Sequence, residues 1–298
     1  MPAGVTIDIR GLSKTFGRVQ AVRDLSFHVE PGVVTGFLGP NGAGNTTTLR
    51  MLLGLVLPTA GSATFGGTAY RNLDHPLATV GTALEAASFH PGRTARNHLA
   101  IYATAAGING SRVDAVLEQV GLGTYAGRRV GGYSLGMRQR LGLALALLGD
   151  PEVLVLDEPI NGLDPEGIRW IRNLLRELAA EGRTVLVSSH LLSEVQQSVD
   201  RVVIIAKGKL VYDGALANLE TETRVLADAP DRAALDSALL AAGARVQSTD
   251  AGLAVTAMTA ADVGAIAHAA GVPLKLLSTE HGGLEQAFLD LVGEGSAP

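Results

Sequence analysis

Apolar residues follow two rhythms along the first two thirds of the chain. Residues 5–10 (VTIDIR) and 25–29 (LSFHV) alternate apolar and polar positions, the period of strands with one wet face. The turn PGVV at 31–34 leads into VVTGFLG (33–39), an apolar run that ends in a glycine-rich loop. TTTLRMLLGLV (46–56) then continues at helical spacing, so the local order is strand, loop, helix. PEVLVLDEP (151–159) and RTVLVSSH (183–190) are apolar runs of buried strands, separated by PEGIRWIRNLLRELAAEG (165–182), an amphipathic helix. LLSEVQQSV (191–199) reads as a helix, and RVVIIAKGKLVYDG (201–214) as a hairpin turning around Lys207 and Gly208. Strands alternating with helices predict an α/β fold with a mostly parallel sheet and flanking helices.

Two regions depart from that alternation. Residues 86–150 are rich in Ala, Leu and Arg and show helical spacing in SRVDAVLEQVGL (111–122) and MRQRLGLALALL (137–148), so they read as a helical insertion. Near residue 220 the chain becomes alanine-rich, and 223–298 reads as strand, helix, strand, strand, helix, strand, helix. Asp231 and Thr259 are placed as N-caps, with Gly243 and Gly271 as the matching stops. ARVQST (244–249) and GLAVTAM (252–258) pair as a hairpin, completing a split β-α-β pattern. The expected division is a cassette at 1–220 and a small α+β module at 221–298. The module shows no catalytic grouping and reads as an accessory or docking unit.

The 298 residues are 47% hydrophobic and 18% charged, enough for a sizeable core in one large domain or two ordinary ones. A net charge of −5 gives no sign of a nucleic-acid partner. The absence of cysteine excludes disulfides and thiolate metal sites, and it suits a reducing cytosol. The longest apolar stretch, LGLALALLG at 141–149, falls well short of the roughly 20 residues that cross a bilayer. A soluble chain is expected, with any membrane role exercised through a partner.

The loop at 39–47 reads GPNGAGNTT. A phosphate-binding loop of the form G-x-x-x-x-G-K-[ST] requires lysine where Asn45 stands. Gly39, Gly42 and Gly44 still allow a sharp turn whose N–H groups point inward as an anion nest, and the following helix adds its positive end. Neither contribution needs a lysine side chain. The hydroxyl of Thr46 sits where the loop's Ser/Thr reaches Mg²⁺. The missing element is the ammonium on the β- and γ-phosphates. A hydrogen bond to a charged group is worth about 1.5–3 kcal/mol, so binding should weaken roughly 10- to 150-fold. Hydrolysis should suffer more, because the transition state places the heavier demand on positive charge. Read alone, the segment is equally a plain glycine-rich turn.

The strand VLVLD delivers Asp157 and Glu158 at its C-terminal end, the edge where open α/β sheets bind ligands. Asp157 is suited to holding a magnesium shell and Glu158 to polarising a water. YSLGMRQRLGLA (133–144) opens a further helix with Ser134 and Gly136 at its N-terminus.

Taken in order, these segments resemble the ATP-binding subunits of ABC transporters. YSLGMRQR resembles the family signature, LDEP its second nucleotide motif, NGLDP the loop after it, and SSH its switch histidine, all across residues 5–215. The resemblance implies a P-loop cassette with an N-terminal antiparallel β subdomain and the helical insertion. It implies ATP and Mg²⁺ as ligands, ATP being held by Phe16 stacked on adenine and by the loop residues Gly39, Pro40, Asn41, Gly42, Ala43, Gly44, Asn45, Thr46 and Thr47. It implies Thr46, Asp157 and Glu85 around the metal, and Glu158 and His190 in catalysis. It also implies Asp164 as the link between two sites, with Ser134, Leu135, Gly136 and Met137 contacting ATP on a second cassette in a head-to-tail homodimer or heterodimer. An integral membrane permease would be the other partner, met through 85–99 with Phe89, His90 and Pro91 as contacts, placing the chain on the inner face of the cell membrane.

The sequence departs from that family at Asn45, at Glu85 in place of the usual glutamine, and at Leu135 and Met137 in the signature. The Glu85 form resembles the branch serving drug and bacteriocin-type exporters, which points to export. A non-hydrolysing regulatory cassette and a soluble ABC ATPase not coupled to transport remain as alternatives.

Overall fold

The computed structural model describes residues 3–294 apart from 85–88, 193–195, 220–223 and 281–283. Two compact units divide it, one of residues up to Leu216 together with those from Leu291 and one of Ala217–Asp290.

In the first unit, β1 (Ile7–Phe16) and β2 (Val19–Val29) form a long antiparallel hairpin, and β4 (Ala60–Phe65) pairs on the other side of β1. These strands extend well beyond the expected 5–10 and 25–29. Register shifts between Ile9 and Thr15 break the strict alternation that marks a strand in sequence. A second sheet has the order β5-β6-β7-β3-β8-β9, with β3 (Val34–Leu38), β5 (Val80–Ala83), β6 (Val153–Asp157), β7 (Thr184–Ser189) and β8 (Arg201–Ala206) parallel. Only β9 (Lys209–Ala215) runs antiparallel, through the expected hairpin at Lys207 and Gly208. Every residue of β3, β6 and β7 is buried, which explains their unbroken apolar runs. One core joins both sheets, with Phe27 and Phe37 stacked at 5.2 Å.

Helix α1 (Asn45–Leu52) follows the glycine loop, and the short α2 (Pro76–Thr79) precedes β5. The helical insertion contains α3 (Ala95–Ala105), α4 (Ser111–Gln119) and α5 (Leu135–Leu147). Helix α6 (Pro165–Ala180) links β6 to β7 and buries Ile171, Leu174, Leu175 and Leu178 along one stripe. The Arg140 guanidinium of α5 lies 4.5 Å from the ring centroid of Trp170 on α6, while donating a hydrogen bond to the Val120 carbonyl at 3.0 Å. The expected helix over 191–199 falls in part on residues outside the described ones; Gln196 N–H bonds to the Leu192 carbonyl at 2.9 Å.

The second unit runs β10 (Arg224–Asp228), α7 (Arg232–Ala241), β11 (Arg245–Thr249), β12 (Gly252–Thr256), α8 (Ala260–Ala269) and β13 (Leu276–Glu280), and α9 (Leu284–Glu294) follows. The antiparallel order β11-β12-β10-β13 is the expected split β-α-β pattern. Asp231 and Thr259 cap the two helices by accepting from Ala234 N–H and Asp262 N–H. Val225, Leu235, Leu239, Val255 and Val263 build a core belonging to this unit. Among the described residues, no helix is long and apolar enough to cross a membrane.

Candidate functional site

The buried strand β3 fixes where the loop begins, and three glycines fix how it turns. Gly42 and Gly44 lie in the left-handed region at φ +82° and +112°. A β-carbon at Gly44 would meet the Ala21 carbonyl oxygen at 2.7 Å, and one at Gly39 the Ile205 carbonyl oxygen at 2.6 Å. The loop is therefore clasped by the backbones of β2 and β8, and Gly208 N–H of the β8–β9 turn donates to the Ala43 carbonyl at 2.9 Å. Loop residues 39–47 line a cavity of about 170 Å³, faced by Ala21, Glu158 and His190. N–H groups in the first turn of a helix have no intrahelical acceptor, and Asn45, Thr46 and Thr47 open on this cavity. That is an anion cradle of the kind a triphosphate needs.

Asn45 turns back on the loop. Its Nδ2 donates to the Gly39 carbonyl at 3.3 Å, and its Oδ1 is buried with no hydrogen-bond partner among the described residues. The amide thus bonds the loop's own backbone and brings no charge to the cradle. Thr46 Oγ1 donates to Asp157 Oδ2 at 3.1 Å, placing a hydroxyl and a carboxylate together beneath the loop. Both are hard oxygen donors and fit Mg²⁺. Among the described residues, no three His, Cys, Asp or Glu side chains gather as a metal cage. A bound Mg²⁺ would complete its shell with phosphate oxygens and water.

Glu158 and His190 meet across the cavity. Glu158 Oε1 lies 2.9 Å from His190 Nδ1, and Glu158 Oε2 accepts from Asn161 Nδ2 at 3.3 Å. Glu158 sits at φ +50°, a left-handed conformation that strains a side-chain-bearing residue by on the order of 1 kcal/mol. Its backbone is held on both sides. Its N–H donates to Ser188 Oγ at 3.1 Å, and Ser188 Oγ donates in turn to Asp157 Oδ1. Its carbonyl accepts from Asn161 N–H at 3.2 Å and from Gln139 Nε2 at 3.1 Å. Gln139, Asn161 and Ser188 lie inside the motifs YSLGMRQR, NGLDP and SSH, but nothing in the sequence assigns them a role of their own. The local signal for Ser188 was the polar pair Ser188 and Ser189 ending a buried strand.

The other expected residues lie away from the cavity. Ser134 caps α5 by accepting from Met137 N–H at 3.2 Å, Leu135 is 55% exposed, and neither they nor Gly136 and Met137 line the cavity. Leu135 rests against Gly162, where a β-carbon would come within 2.3 Å of Leu135 Cδ2. Asp164 caps α6, accepting from Gly167 N–H at 2.7 Å. Phe16 is 49% exposed at the end of β1, with the Lys14 ammonium 4.9 Å from its ring centroid. Phe89 packs edge-on against His98 at 5.0 Å, while His90 and Pro91 are exposed. Glu85 lies outside the described residues.

A glycine loop between strand and helix, carboxylates at the end of β6 two strands away in the same sheet, and a helical insertion carrying a capped serine turn define a P-loop nucleotide-binding cassette. A family model described as "ABC transporter" matches residues 22–161, and one described as a domain of unknown function (DUF8746) matches 223–285. The chain is 46% identical over 216 residues to the bacitracin transport ATP-binding protein BcrA of Bacillus licheniformis, covering 72% of this chain and 71% of that one. It is 37% identical over 218 residues to the lantibiotic transport ATP-binding protein SrtF of Streptococcus pyogenes, covering 72% and 94%. Among solved structures, an ATP-binding subunit of an ABC transporter superposes with a TM-score of 0.65 at 25% identity, over 72% of this chain and 91% of that one. A dimeric ATP-binding cassette bound to ADP and Pi shares the fold, with a TM-score of 0.64 at 21% identity, over 70% and 98%. The chain belongs to the family of ABC transporter ATP-binding proteins and is an ATPase subunit by that membership.

Proposed function

We propose that this chain powers export of an antibiotic-type cargo through a separate membrane permease, binding ATP in a head-to-tail pair of cassettes on the inner face of the membrane. The observation carrying the reading is the single cavity that brings the loop's amides together with Glu158 and His190. The relatives named for bacitracin and lantibiotic transport support the choice of cargo class.

In this reading Phe16 stacks on adenine, and loop residues 39–47 hold the phosphates through N–H groups. Thr46, Asp157 and Glu85 would hold Mg²⁺, which would neutralise phosphate charge. Glu158 accepts a proton from the attacking water, and His190 orients that carboxylate and the water. Ser134, Leu135, Gly136 and Met137 close over the nucleotide of the second cassette, Asp164 links the two sites, and Phe89, His90 and Pro91 meet the permease. Residues 221–298 serve as an accessory module.

Asn45 leaves binding to backbone dipoles and slows hydrolysis. Its amide, bonded to the Gly39 carbonyl, also supports a second reading, a regulatory cassette that binds ATP without turning it over. Calorimetry of the purified chain with Mg²⁺ and excess ATP tests both. Association heat with no phosphate release favours the regulatory cassette, association with slow release favours the engine, and no heat sinks both.

A further inference from the structure

Two elements meet at the backbone of Glu158, and one of them belongs to the other nucleotide site. Gln139 is buried on α5, the helix whose N-terminus is capped by Ser134. Its Nε2 donates to the Glu158 carbonyl at 3.1 Å, the only orientation of the amide that presents a donor to that oxygen. The carbonyl already accepts from Asn161 N–H at 3.2 Å, so Gln139 is not needed to satisfy it. What Gln139 adds is direction. Glu158 is in the left-handed region, and the peptide plane that follows it is set by whatever holds its carbonyl.

We infer that Gln139 is a positioning residue that couples the two sites of a cassette pair: α5, gripped at its Ser134 end by nucleotide on the second cassette, aligns Glu158 of its own cassette through the Gln139 amide. The inference rests on the proposed head-to-tail pairing. Helix α5 spans Leu135–Leu147 without a break, so a shift at its first turn is carried to Gln139 in the next. Leu135 rests on Gly162 in the loop that also holds Asn161, which ties the same turn to Glu158 by a second route.

The test compares the chain carrying Asn45→Lys with one that also carries Gln139→Met, which keeps side-chain length and removes the donor. The expected result is kcat lower by about 10- to 100-fold, the scale of a small misplacement of a reacting group. Half-saturating ATP should stay within about twofold, and the Hill coefficient should fall from near 2 toward about 1. Unchanged kcat overturns the positioning role. A reduced kcat with the Hill coefficient retained overturns the coupling. If the methionine variant melts early, Gln139→Lys, which keeps a donor, decides: recovered turnover and cooperativity support the inference, and their loss in a well-folded protein overturns it. A lysine-restored parent that neither binds nor hydrolyses ATP refutes the cassette reading itself, and the coupling falls with it.

Discussion

The proposed loss of hydrolysis rests on Asn45. The backbone cradle is intact, but the side chain at this position bonds the Gly39 carbonyl instead of reaching outward with a charge. Asn45→Lys should raise ATP turnover by about tenfold or more, since a hydrogen bond to a charged group is worth about 1.5–3 kcal/mol. A phosphate-release assay checks this, and equal rates would remove the case for a missing cation. His98 gives a second prediction. It is buried between Phe89 and Tyr102, and among the described residues neither ring nitrogen has a hydrogen-bond partner. Burial, reinforced by the nearby positive charge of Arg93, holds its pKa below the usual histidine range. The unfolded chain therefore binds this proton more readily than the folded one. Stability is full above the ordinary value of about 6.5 and is lost as pH falls below it. In His98→Phe, the drop in Tm between about pH 7.5 and 5.5 should be smaller than in the unmodified chain, as scanning calorimetry would show. The loop, the carboxylates and His190 were legible because each lies in a contiguous motif. Gln139 lies in a quoted motif too, but its contact with Glu158 exists only once α5 has packed against β5, the strand beside β6.

Caps and glycines, more than periodicity, made the elements readable. Asp231 with Gly243 and Thr259 with Gly271 bracket two helices whose alanine-rich faces carry little amphipathic signal. The same devices failed for β4, whose AGSATF has no alternation to recognise and which forms because β1 offers it an edge. The bulged middle of the β1–β2 hairpin was missed for a related reason: each register shift inverts the in–out pattern. Asp164 has an observed role in its element and a proposed one in assembly. Its side chain accepts from Gly167 N–H and starts α6. Asp164→Ala should destabilise the unit by about 1 kcal/mol, seen as a Tm lower by about 2–4 °C. A Tm shift near zero would assign the residue wholly to assembly. Apart from stability, the same variant should weaken ATP-dependent pairing.

At the scale of the molecule, the loop and the signature turn lie apart within one chain, and the proposed head-to-tail pair would bring them together from two. In the lysine-restored chain, Glu158→Gln removes the proton acceptor while retaining the amide's bonds to His190 and Asn161. It should trap a dimer when ATP and Mg²⁺ are added. Sedimentation velocity would reveal the heavier species, and monomer alone at saturating ATP would contradict the shared site. The C-terminal unit has its own core and sheet, which is why its order could be read without reference to the rest.

Trp170 is the only tryptophan in the chain. The guanidinium lying over its indole belongs to Arg140, the residue next to Gln139 on α5. The protein's red-edge ultraviolet emission therefore arises at one address, beside the rod that would carry news from one ATP to the other. A label-free optical signal should accompany each engagement of the signature turn, and its time course would separate closure from the chemistry that follows.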